Sequence, residues 1–195
     1  MKILLPLTCT ILASIYAPSI YAENSWYLGA QYSAQEVASS PDRELNTAGI
    51  IAGYQLNKFF ALETRFNIGT SGYSNKYSPD QEYKEDIDTQ ASLFIKGSYP
   101  ISNTFSIFAL AGVTKSKYEI TTTAHHTDID GNYTQVYPSF IKCSESGFNY
   151  GVGLNYKISE AFSLFIDYQV LPDLTIVSGV SSSWNSTNFG VNYSF

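Results

Sequence analysis

Thr187-Asn188-Phe189-Gly190-Val191-Asn192-Tyr193-Ser194-Phe195 closes the chain, and its residues alternate without a slip. Thr187, Phe189, Val191, Tyr193 and Phe195 share one parity, while Asn188, Gly190, Asn192 and Ser194 share the other. Successive side chains of a β-strand point to opposite faces. The stretch therefore reads as a strand with an aromatic and aliphatic face and a small polar face. Chain ends fray unless something holds them. A terminal strand this apolar calls for a partner, and pairing it with the first strand of a closed sheet removes both sheet edges.

Composition agrees with a chain that meets lipid. Charged residues make up 14% of the 195, against roughly 25% in soluble domains. Aromatics make up 15%, mostly Tyr and Phe. That balance suits an outer surface in lipid with aromatic side chains at its borders. The formal charge of -6 gives a nucleic-acid partner no electrostatic support. Residues 1–22 read as a secretory signal peptide: Lys2, an apolar run from Ile3 to Tyr16, and cleavage after Ile20-Tyr21-Ala22. The run is too short and too interrupted by Pro6, Thr8 and Thr10 to span a bilayer as a helix. Residues 23–195 are then one domain, whose only cysteine is Cys143, so no internal disulfide is expected.

Period-two alternation recurs in eight segments. They lie near Trp26–Ala34, Thr47–Leu56, Phe60–Gly69, Gln90–Tyr99, Phe105–Lys115, Gly147–Lys157, Phe162–Val170 and the terminal stretch. Each is close to the 9–11 residues or so that a tilted transmembrane strand needs. The connections alternate in length. Asn57-Lys58, Pro100 to Thr104 and Ile158 to Ala161 are tight; Gln35 to Asn46, Thr70 to Thr89, Ser116 to Ser146 and Leu171 to Ser183 are long and polar. The expected fold is all-β: an eight-stranded antiparallel up-and-down transmembrane barrel, with short periplasmic turns and four longer extracellular loops. A soluble lipocalin-like barrel would alternate as well. Against it, the strand charges Glu63, Arg65, Lys96 and Asp167 share the glycine-and-polar parity, and aromatics such as Trp26, Tyr99, Tyr156 and Phe162 flank the tight turns. Phe94, Phe108, Leu110 and Phe165 fall on the polar parity too. Either they fill the interior, or the register of the fifth segment slips by one.

Two further stretches carry a resemblance. Gly147-Phe148-Asn149-Tyr150-Gly151-Val152-Gly153-Leu154, followed by Ala161-Phe162-Ser163-Leu164-Phe165-Ile166-Asp167-Tyr168, resembles strands six and seven of the OmpX/Ail-like and OmpA-like outer-membrane barrels. Phe59-Phe60-Ala61-Leu62-Glu63-Thr64-Arg65-Phe66 is similar to their third strand. Phe189, Val191, Tyr193 and Phe195 resemble the C-terminal insertion signal of such proteins. The resemblance implies a monomer in the outer membrane of a Gram-negative bacterium, in contact with lipid and lipopolysaccharide. It also implies delivery to the barrel-assembly machinery through the last strand, and a role in adhesion, host interaction or envelope integrity. No loop motif of that family is matched residue by residue.

Glu63, Arg65, Lys96 and Asp167 are expected in the lumen as mutual ion pairs, because isolated charges are costly there. An ion pathway is the alternative, but eight strands leave an interior that side chains fill. His125-His126 with Asp128 and Asp130 lack the spacing of a metal site, and Asp128 to Asn132 lacks the downstream acid of a calcium loop. The strand segments hold no histidine, which argues against a serine–histidine hydrolase. The expectation is a non-enzymatic protein without cofactor. The loops hold acids (Glu82, Glu85, Asp86, Asp88, Glu119, Glu145) interleaved with Tyr73, Tyr77, Tyr83, Tyr118, Tyr133 and Tyr137. Such tyrosines suit a recognition surface; a hydrated protective cap is the other reading.

Overall fold

The computed structural model describes residues 25–38, 42–78, 81–127, 133–135, 138–177 and 180–195. The strands are β1 (Trp26–Val37), β2 (Arg43–Gln55), β3 (Phe60–Ser71), β4 (Tyr73–Ser78), β5 (Gln81–Pro100), β6 (Phe105–Thr127), β7 (Tyr133–Gln135), β8 (Ser139–Lys157), β9 (Phe162–Val177) and β10 (Val180–Ser194). Eight of them close a ring in the order β1, β2, β3, β5, β6, β8, β9, β10 and back to β1, each pair antiparallel. The closing ladder runs from Tyr27↔Ser194 to Val37↔Trp184. β4 follows β3 past Gly72 and pairs with β5, and β7 pairs with the far end of β6. The expected signal peptide, residues 1–22, lies outside the described residues.

Parity, not residue type, decides which way a side chain points. Ile50 is 65% exposed and its neighbour Ile51 is 1% exposed. The outward set forms an apolar band that includes Leu28, Leu62, Phe66, Leu93, Val152 and Ile166. No soluble barrel leaves so much contiguous apolar surface in water. At the short-turn end the band finishes in cross-strand aromatic pairs: Trp26 with Tyr54, Phe105 with Tyr156 and Phe162 with Tyr193, each with ring centroids 4.9 Å apart. Tyr193 also meets Phe195 edge-on at 5.0 Å.

The three short turns repeat one local design. Leu56-Asn57-Lys58-Phe59-Phe60, Ile101-Ser102-Asn103-Thr104-Phe105 and Ile158-Ser159-Glu160-Ala161-Phe162 each place an apolar residue, then Asn or Ser, then Phe three positions on. The Asn57, Ser102 and Ser159 side chains accept hydrogen bonds from the backbone N–H of Phe60, Phe105 and Phe162 at 2.9, 3.0 and 3.0 Å. The Phe carbonyls in turn accept from the N–H of the two residues at the start of each turn. Asn and Ser suit these positions because their short oxygens reach backbone donors that the turn leaves free.

At the other end the expectation needs correction. The stretches Thr70 to Thr89 and Ser116 to Ser146 are not mainly loop: β5, β6 and β8 run for 20, 23 and 19 residues. Roughly 9–11 of those cross a membrane, and the rest continues as paired hairpin. The sequence concealed this in two ways. A register shift between Ile87 and Thr89 places a bulge at Asp88, so the alternation of β5 changes parity there. The environment also inverts: Lys115 and Lys117 point out while Tyr118 and Ile120 point in, opposite to the order in the apolar band. In the fifth segment no slip occurs; Phe108 and Leu110 are buried and Ile107 and Val113 face out.

Candidate functional site

The lumen is built in layers. Near its middle the structure brings Glu63, Arg65, Lys96 and Asp167 together from β3, β5 and β9. Arg65 Nε donates to Glu63 Oε1 at 2.7 Å, Arg65 Nη1 donates to Asp167 Oδ2 at 2.9 Å, and Lys96 Nζ donates to Glu63 Oε2 at 3.1 Å. Two cations meet two carboxylates, so the buried charge sums to zero. Neutral donors complete the shell: Tyr27 OH to Glu63 at 2.5 Å, and Asn188 Nδ2 and Gln169 Nε2 to Asp167 Oδ1, both at 2.7 Å. Arg65 Nη2 is buried without a hydrogen bond. Its guanidinium lies 5.3 Å from the Phe165 ring centroid and 5.6 Å from that of Phe94, within the range of cation–π attraction.

The four hydrophobic residues on the polar parity belong to this layer. Phe94, Phe108, Leu110 and Phe165 pack with Tyr27, Ile51 and Ala61. Glycine makes room for the rings. A Cβ on Gly53 would meet the ring of Tyr27, one on Gly153 the ring of Phe108, and one on Gly190 the ring of Phe165. The glycine-rich face and the misplaced-looking aromatics are thus two halves of one packing. Above lie amides and hydroxyls: Gln31 to Asn67 at 2.8 Å, Gln90 to Ser116 at 3.0 Å, Asn149 to Thr114 at 2.8 Å.

The long-hairpin end carries a second hydrophobic core. Val37, Leu45, Ile87, Tyr118, Ile120, Leu171, Leu174 and Trp184 are buried there, with Tyr73, Tyr83 and Cys143 packed against them. Arg43 forms an ion pair with Glu85 beside it, and Tyr83 OH donates to Glu85 at 2.5 Å. Burial first, then Glu85, pushes the Tyr83 phenol above its ordinary pKa. This corrects the reading of the connections as exposed recognition surface: Tyr118 is buried, Tyr73 and Tyr83 are partly buried, and Glu85 is an interior ion-pair partner. Trp184 was missed altogether, since Leu171 to Ser183 read as a loop and hid the run of inward positions that leads to it. The Tyr77 side chain, and Asp128, Asp130 and Tyr137, lie outside the described residues. His125 and His126 pair in backbone with Gln135 and Thr134.

Above the apolar band the ring opens. The β8–β9 ladder ends at Tyr150↔Val170, yet β8 stays paired with β6 as far as Ser139. Continuing the register would set Phe148 against Pro172. Proline has no N–H to give a neighbouring strand. Among the described residues, β8 from Ser139 to Asn149 therefore has a strand on one side only. Phe140 and Ile141 stand at this edge, 58% and 54% exposed.

A family model for the outer membrane protein beta-barrel domain matches residues 5–195. The chain belongs to that family. Its short turns are periplasmic and its long hairpins extracellular, the apolar band faces lipid, and the protein resides in the Gram-negative outer membrane. Solved barrels share the fold. The Yersinia pestis attachment invasion locus protein, Ail, aligns with TM-score 0.58 and 14% identity over 89% of this chain and 100% of its own. Neisserial surface protein A aligns with TM-score 0.54 and 14% identity over 87% and 97%. OprG of Pseudomonas aeruginosa aligns with TM-score 0.51 and 10% identity over 88% and 96%. Ail has also been solved in complex with the heparin analogue sucrose octasulfate. No curated protein matches the sequence.

Proposed function

We propose that this outer-membrane barrel is a non-enzymatic surface-interaction protein, adhesin-like, whose binding element is the open edge of β8. The unpaired edge carries the reading. A strand edge offers free backbone donors and acceptors, and partners commonly use one by adding a strand of their own. Two large apolar side chains, Phe140 and Ile141, flank the β8 edge, with the exposed Lys142 beside them. The extracellular core supports the reading as well, because a packed platform holds the edge in place before binding and so lowers its entropic cost. The filled lumen favours display over a channel. Exposed acids (Glu36, Glu44, Asp86) and exposed lysines (Lys84, Lys115, Lys117, Lys142) are mixed at this end and select no sign of partner charge, and the sulfated ligand of Ail is not carried over.

The test compares cells carrying the native barrel with cells carrying Phe140→Lys and Ile141→Lys, two charges that block strand addition. Binding to host cells or matrix should fall at least tenfold at unchanged outer-membrane yield. Undiminished binding by the double variant sinks the edge as the element. No binding by the native barrel to any surface leaves an envelope-integrity role in its place.

A further inference from the structure

The periplasmic mouth holds a vestibule that surface display does not use. Its volume is about 420 Å³, and among the described residues its lining includes Lys58, Lys96 and Lys157 and no Asp or Glu. Asn155, Asn192, Ser106 and Ser163 add amide and hydroxyl groups to the wall. The vestibule is blind, because the packed layer of Tyr27, Phe94, Phe108 and Phe165 closes it from within.

The charges are not equivalent. Lys96, at the floor, is neutralised by Glu63 at 3.1 Å. Lys58 lies over the Phe59 ring, 4.8 Å from its centroid, a contact that leaves its charge available. Lys157 pairs with Glu160 at 2.8 Å, but the Glu160 side chain is 97% exposed. Such a pair is screened by water and competes weakly with a ligand. Two available cations on a concave wall with low-dielectric surroundings focus a positive potential. Lysine ammonium groups are point-charge partners for phosphate. The volume lies within the range usual for small-ligand sites, roughly 300–1,000 Å³.

We propose that this vestibule binds a phosphate group on the periplasmic side, supplied either by free phosphate or by the phosphodiester of a neighbouring phospholipid headgroup. Lys58 and Lys157 grip the anion at the mouth, and the Asn and Ser groups donate from the wall. Glu160 opposes binding by holding Lys157.

The test uses the full barrel without its leader, refolded in a phosphate-free maltoside detergent and titrated with inorganic phosphate at low, constant ionic strength. Amide resonances of Ser163 and Asn192 and the Lys157 side-chain signal report occupancy. Saturable shifts are expected that chloride does not reproduce. Lys58→Gln and Lys157→Gln should each weaken binding about tenfold, the loss of one charge-assisted contact. Glu160→Gln should tighten it. These positions are at exposed turns or the strand end, and an unchanged amide spectrum elsewhere checks the fold. In phospholipid nanodiscs, a headgroup occupant will already have displaced the lysine signals and abolished the response to added phosphate; a retained response identifies free phosphate. Absent or non-saturable shifts in detergent, or affinity indifferent to both lysines and to Glu160, would overturn the proposal.

Discussion

Arg65 is the residue on which the lumen's electrostatics turn. It bridges Glu63 on β3 and Asp167 on β9, and its own side chain is 2% exposed. Its guanidinium can do this because a planar fork serves two carboxylates and still presents faces to Phe94 and Phe165. Arg65→Met should leave Asp167 without a cation in a site that excludes water. The expected cost is about 3–5 kcal/mol, the penalty for breaking a buried pair from one side. Urea unfolding of the refolded barrel in lipid vesicles measures it. A loss under roughly 1 kcal/mol, the value of an exposed pair, would show that water or rearrangement replaces the network. The identities of the four charged residues, and their common parity, were legible in the sequence. Which carboxylate meets which cation was not: Glu63 stands two residues from Arg65 on the same face of β3, but Asp167 becomes a neighbour of Arg65 only when the ring closes, across 102 positions of chain.

At the scale of the element, β9 decides where the barrel stops being a barrel. Its ladder with β8 ends two residues short of Pro172. Pro172→Val restores a donor at the position facing Phe148 and should let the ladder continue. The expected outcome is slower hydrogen exchange at the amides of 146 to 148, together with weaker surface binding as the edge closes. Unchanged exchange would mean that the divergence of the hairpins, rather than the missing N–H, holds the seam open. Pro172 was visible in the sequence, but its meaning was not. A proline in an alternating stretch reads as the end of a strand, and here it ends only the pairing on one side while β9 continues to Val177. The three turns show the converse. The repeat of Asn57, Ser102 and Ser159, each three residues before a Phe, was available all along as a signal for turn geometry.

For the whole molecule, the orientation in the membrane is directly testable. Successive connections of an antiparallel barrel lie at opposite ends, so all four long hairpins share one side. Cys143 itself is half-shielded against the extracellular core beside Tyr118 and is a poor reporter. Ser144 is exposed on the same strand. In a Cys143→Ser background, Ser144→Cys should react with a membrane-impermeant thiol reagent on intact cells. Asn57→Cys, in a periplasmic turn, should react only after the outer membrane is permeabilised. The reverse pattern would invert the topology and remove the surface-display proposal with it.

The sequence by itself determined the class of this protein, because the relevant signals are local. Period-two alternation, the aromatic ends of strands, the short polar turns and the apolar terminal strand Phe189, Val191, Tyr193, Phe195 each follow from neighbours within a few residues. Local alternation also placed Glu63, Arg65, Lys96 and Asp167 on the inner face. Only the tertiary structure decided how the inner face is filled. Whether Phe94, Phe108 and Phe165 are errors of register or fillers depends on glycines on other strands, since a ring needs an empty place opposite it. Whether Tyr118 and Trp184 are exposed or buried depends on two hairpins meeting above the membrane. There the solvent outside changes from lipid to water, so the apolar side chains turn inward, and the rule that reads the strands below gives the opposite answer.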